Sequence, residues 1–100
     1  MHGEYKTPGG KLVAVDLTVG AGKLREVMVS GDFFLYPEEA LTAITASLEG
    51  LSVELTESEM AEQVRLAMPR DAELLGSSPE AIAAAVRRAL AGDEASGDGR

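Results

Sequence analysis

The 100-residue chain has no cysteine. That excludes disulfides, thiolate zinc sites, cysteine-ligated iron–sulfur clusters and a cysteine nucleophile. Its single histidine, His2, is expected at a loose terminus. A Ser-His-Asp set and a histidine-based metal site within the chain are therefore not expected. No charged-then-apolar signal peptide opens the sequence, and no apolar run approaches the roughly 20 residues needed to span a bilayer. The expected compartment is the cytoplasm, without membrane contact. Between residues 32 and 64 there is no basic side chain, against eight acidic ones. The net charge of −8 is concentrated there, which disfavours nucleic acid and permits a basic partner.

Aromatic residues are scarce too. There are four, and three of them, Phe33, Phe34 and Tyr36, fall within one four-residue stretch. The 45% hydrophobic content is ordinary for a globular chain, and the length suits one domain with a small core. The boundaries read from composition are a folded unit over residues 1–91 and a disordered polar tail over 92–100.

Gly3 to Thr7 suits a short strand, and Thr7-Pro8-Gly9-Gly10 is a turn signal. The run Lys11–Val19 alternates with period two, placing Val13, Val15, Leu17 and Val19 on one face. Gly20-Ala21-Gly22 suits a tight hairpin. The return strand, Lys23–Gly31, then puts Val27 and Val29 on one face and Leu24 and Met28 on the other. Pro37 fits a first helical position, Leu41, Ile44 and Leu48 form that helix's stripe, and Gly50 stops it. Thr56–Glu59 reads as a capping box for a second helix, which carries Met60, Val64, Ala67 and Met68 up to Pro69. Ser77–Glu80 starts a third, with Ile82, Ala85, Val86, Ala89 and Leu90 as its stripe and Gly92 as its end. Strands followed by helices make an α+β fold: a three-stranded antiparallel sheet, then about three helices.

Chemistry is sparse. Gly9-Gly10-Lys11 lacks the extra glycines, the hydroxyl residue and the following helix of a phosphate loop. Asp16 suits a solvent-facing strand position, and Glu38 and Glu39 are explained by a helix start. Asp32 fits a turn or cap aspartate, and Arg87 and Arg88 fit a solvated helix face. Phe33 and Phe34 are adjacent, so an extended chain sends them to opposite sides. One ring should pack inward and the other should face a partner or ligand.

The segments "YKTPGGKL" (Tyr5–Leu12), "VDLTV" and "REVMVSGDFFLYPEEAL" (Arg25–Leu41) resemble the accessory, C-terminal domain of lipoate–protein ligases. The resemblance spans residues 3 to 91, with "GGKL" and "GDFF" its most specific parts. It implies a stand-alone small subunit that acts in trans on a large catalytic chain, indirectly serving lipoyl-carrier domains. ATP, Mg and lipoate would be held in that partner's site, with no cofactor bound by this chain alone. It also implies a shape similar to the sulfur-transfer and iron–sulfur scaffold fold, in which a Gly-Cys segment stands where this chain has Gly31-Asp32. Without cysteine only the shape carries over. The partner- or substrate-facing set implied is Lys6, Gly9, Gly10, Lys11, Gly31, Asp32, Phe33, Phe34 and Tyr36, with no catalytic residue and no metal ligand. In it the outward ring anchors the interface, Lys11 and Lys6 approach the substrate's anionic groups, and Asp32 holds the strand-to-helix corner. The other function the residues permit is a non-catalytic binding or scaffold module for an acyl-carrier or other protein partner.

Overall fold

A computed structural model describes residues 1–9 and 11–96. The elements run β1 (His2–Lys6), β2 (Leu12–Gly20), β3 (Lys23–Gly31), β4 (Phe34–Tyr36), α1 (Glu39–Leu48), α2 (Glu57–Ala67), β5 (Glu73–Leu75) and α3 (Pro79–Ser96). β1, β2 and β3 form the expected antiparallel sheet in that order. Its inner face carries Val13, Val15, Leu17, Leu24, Val27 and Val29, all buried. α3 lies across β1 and β2, α1 packs on β3, and α2 contacts both helices. Ile44 and Leu48 from α1, Met60 and Val64 from α2, and Ile82 and Val86 from α3 complete the core. Among the described residues no polar side chain is buried in it, so the core costs no desolvated polar group. The other sheet face exposes His2, Glu4, Asp16, Thr18, Met28 and Ser30.

Helix signals act as expected for α2 and α3. The Thr56 hydroxyl accepts from the Glu59 N–H at 3.1 Å, and the Glu59 carboxylate accepts from the Thr56 N–H at 2.8 Å. At α3 the Ser78 hydroxyl accepts from the Ala81 N–H at 3.0 Å, with Pro79 as the first helical residue. α1 starts two residues later than Pro37, at Glu39. Tyr36 is still paired in β4, and Pro37 and Glu38 form a turn in which their carbonyls accept from Ala40 and Leu41. α3 continues past Gly92 to Ser96, since one glycine within a helix costs only about 1 kcal/mol. The expected tail therefore begins inside the helix, and its last residues, 97–100, lie outside the described residues.

Three further expectations are corrected. Leu24 lies on the same face as Val27, not opposite it. β3 pairs Met28 with Asp16 but Arg25 with Thr18, so Leu17 is faced by both Glu26 and Val27. This β-bulge, with Glu26 at a φ of 51°, inserts one residue and reverses the inside–outside parity. The bulge's amides are held by the residue that caps α1: the Glu49 carboxylate accepts from the Val27 N–H at 2.6 Å and the Glu26 N–H at 3.2 Å.

His2 is not loose. It sits in β1 opposite Asp16, its ring within 2.7 Å of the Asp16 carboxylate and 2.8 Å of Glu4. Arg87 is not on a solvated face either. It donates to the Val53 carbonyl at 2.8 Å and to that of Leu55, tying α3 to the segment between α1 and α2. Arg88 is exposed, but its guanidinium lies 5.1 Å from the Tyr5 ring centroid.

One contact sets the distance between sheet and helix. A Cβ on Gly3 would lie 2.2 Å from the Ala89 nitrogen and 2.3 Å from the Ala85 oxygen. Only glycine lets β1 touch the α3 backbone.

Candidate functional site

The stretch from Gly31 to Tyr36 forms a corner between the sheet and α1. Gly31 has a φ of 148°, and a Cβ there would meet the Leu12 oxygen at 2.1 Å. Its absence lets the Asp32 N–H reach that same oxygen at 2.8 Å. The corner is thus held by the Asp32 backbone. Among the described residues the Asp32 carboxylate makes no cap hydrogen bond, and α1 has no side-chain cap, so the expected capping role is not seen.

Past the corner the chain forms a second small sheet, beyond the expected three strands. β4 pairs antiparallel with β5, aligning Phe34 with Leu75, Leu35 with Leu74 and Tyr36 with Glu73. Strand alternation then splits the rings as expected. Phe33 and Leu35 pack against the core. Phe34, Leu75 and Tyr36 share the outer face, exposed to 57%, 58% and 62%. This is a cross-strand apolar pair flanked by a phenol, turned toward solvent.

Beside it an open groove of about 770 Å³ runs between the end of β3 and the start of α1. Its apolar lining includes Val29, Phe33, Phe34, Leu35 and Leu41, with Glu38 and Glu39 as its charged groups. The two carboxylates that explain the helix start thereby also charge the groove.

The expected site residues do not all converge. Gly31, Phe33 and Phe34 line the groove, and Tyr36 extends the apolar face beside it. Lys11 lines a separate cleft of about 410 Å³ with Tyr5, Thr7, Ser77 and Ser78. Lys6 is exposed on β1, and Gly9 is exposed in the turn with a φ of 101°. Gly10 lies outside the described residues. Gly76 links the two regions: a Cβ there would lie 3.3 Å from the Lys11 Cγ and 3.6 Å from both the Asp32 oxygen and the Phe33 Cα. Leu75 and Gly76 were missed because Glu73–Leu75 is too short to show a period. The only trace is an apolar pair ahead of a glycine.

Among the described residues no cluster of three His, Asp or Glu side chains could hold a metal ion. The His2 imidazole is held above its ordinary value of 6.5 by hydrogen bonds to Glu4 and then Asp16, on the exposed sheet face. Arg65 is raised by its hydrogen bonds to Glu80 and then Glu62 on the helices. No described helix is long and apolar enough to cross a membrane.

The fold has a counterpart among solved structures. The chain superposes with a TM-score of 0.71 and 23% identity, over 87% of its own length and 93% of the other, on a chain from an archaeal lipoylation system. That system comprises a bi-partite lipoate protein ligase and its E2 lipoyl domain from Thermoplasma acidophilum. This protein has the fold of that ligase's small subunit. The sequence agrees: lipoate-protein ligase A subunit 2 of Thermoplasma acidophilum is 33% identical over 43 residues, 43% of this chain and 46% of that relative. The sequence match therefore spans about half the length of the curated relative, whereas the fold match spans nearly all of the structural one. No family model matches the chain.

Proposed function

We propose that this chain is the accessory subunit of a cytoplasmic lipoate–protein ligase, docking on a large catalytic chain to support ATP-dependent lipoyl-adenylate formation. The observation that carries the reading is the fold match to a small ligase subunit over 87% of the chain. The local sequence match to a protein of the same description supports it. In this reading ATP, Mg and lipoate are bound in the large chain's site, and lipoyl-carrier domains are met only through it.

This chain's contribution is positional. Phe34, Leu75 and Tyr36 form an exposed apolar face of the kind that anchors a protein contact. Burying it against the large chain would exclude water from the neighbouring surface and fix loops there in a reactive geometry. The same face would also suit a free-standing binding module, and one assay separates the two readings. Pyrophosphate release by the large ligase chain of the same source, given ATP and lipoate, is measured with and without this protein. Release that depends on both chains supports the accessory role, and equal release with and without it refutes that role. Phe34→Ser should leave folding intact, since the ring is exposed, and should weaken activation about tenfold or more, as for a central anchor.

A further inference from the structure

The sheet has two outer edges, and they are protected unequally. On β1 the phase of the ladder is set by the paired bonds between Met1 and Leu17 and by the Thr7 N–H on the Lys11 carbonyl. Odd positions therefore bond β2, and His2, Glu4 and Lys6 turn their backbone groups outward. All three carry ionisable side chains, and the Glu4 carbonyl already accepts from Arg88 at 3.2 Å. Such charges discourage another strand from pairing.

On β3 the phase is set by the Asp32 N–H on the Leu12 carbonyl at 2.8 Å. Met28 and Ser30 then bond β2, and Val27, Val29 and Gly31 face outward. The lower half of this edge is closed. The Glu49 carboxylate takes the Glu26 and Val27 amides. The Leu24 N–H bonds the Leu51 carbonyl, and the Leu24 carbonyl accepts from Gly50. The upper half is open: among the described residues Val29 and Gly31 make no backbone bond on that side. Met28, Val29, Ser30 and Gly31 carry no charge, and this bare stretch borders the groove that Val29 and Gly31 themselves line.

We propose that the upper edge of β3 is a strand-addition site whose occupant is an extended segment of the large ligase chain, an apolar side chain flanked by basic residues. The choice of occupant rests on the ligase reading above. Its main chain bonds Val29 and Gly31, as in other cases where a peptide extends a sheet. Its apolar side chain enters the groove against Phe33, Leu35 and Leu41, and its basic residues meet Glu38 and Glu39. Charge selects this occupant over a second copy. Self-pairing would set these carboxylates against their own kind on a chain of net charge −8.

The test is amide exchange, followed by NMR on the full chain, free and mixed with the large chain of the same source. In the free protein Met28 and Ser30 should exchange slowly, and Val29 and Gly31 quickly. In the complex Val29 and Gly31 should slow about tenfold or more, because each gains a hydrogen bond. The double variant Glu38→Gln/Glu39→Gln should bind about three- to tenfold more weakly, with a shallower salt dependence. If the large chain binds and pyrophosphate release rises while Val29 and Gly31 exchange as in the free chain, strand addition is overturned and the ligase reading stands. If neither binding nor stimulation occurs, both are overturned. Concentration-dependent protection without the large chain would name a second copy as occupant and overturn the proposal. Unchanged affinity in the double variant overturns the basic character of the segment.

Discussion

Removing the Glu49 carboxylate tests whether the β-bulge is held from outside the sheet. The bulge leaves the Glu26 and Val27 amides without a ladder partner, and Glu49 accepts both, at 3.2 and 2.6 Å. A hydrogen bond to a charged group contributes about 1.5–3 kcal/mol where water is excluded, and less at the surface. The Val27 bond is partly buried and the Glu26 bond exposed. Water can replace the second more easily than the first, so Glu49→Ala should cost about 2 kcal/mol in total. For a domain of this size that lowers Tm by about 8–16 °C. Glu49→Gln keeps one acceptor oxygen and should lose about half as much. Thermal unfolding followed by circular dichroism measures both, with Glu54→Ala as an exposed-carboxylate control expected to be silent. A loss of less than about 2 °C in Glu49→Ala, near the control, would refute the reasoning: the bulge would then be held by the packing of Leu24 and Val27 alone.

Further outcomes follow from other contacts. Gly3→Ala should cost about 2–4 kcal/mol, because its Cβ would overlap the α3 backbone at Ala85 and Ala89 and the helix cannot retreat without opening the core; the denaturant midpoint reads this. Ala21→Asn should stabilise by about 0.5–1 kcal/mol, since Ala21 and Gly22 hold φ values of 56° and 75° in the hairpin turn and asparagine tolerates that region better; an unchanged or lower Tm contradicts it. The folded pKa of His2 is raised above 6.5 by Glu4 and Asp16, so its contribution is full below about pH 6.5 and is lost as pH rises through the folded value. The site is exposed, so the wild-type minus His2→Gln stability difference should be only a few tenths of a kcal/mol at pH 5.5 and shrink as the pH rises through the folded value; a difference that grows with pH reverses the argument.

The chain determined by itself whatever depends on neighbours along the sequence. The period-two run of β2, the tight turn at Ala21-Gly22, the capping box at Thr56 and the Pro79 helix start are local signals, and each acts where it stands. Adjacency alone also required Phe33 and Phe34 to part. Which ring faces out was decided by the pairing of β4 with β5, distant in the chain, which puts Phe34 opposite Leu75 on the exposed side. Tertiary structure likewise decided the side of Leu24. One inserted residue reverses every side chain beyond it, and the bulge that inserts it is stabilised by Glu49 on a different element. Arg87 looked solvated because its partners, the Val53 and Leu55 carbonyls, are backbone groups without a residue signature. The proposed docking surface belongs to this second category. Its groove, its exposed apolar face and the open edge of β3 exist only once distant strands have paired, because burial and free hydrogen-bonding capacity are properties of the assembled sheet.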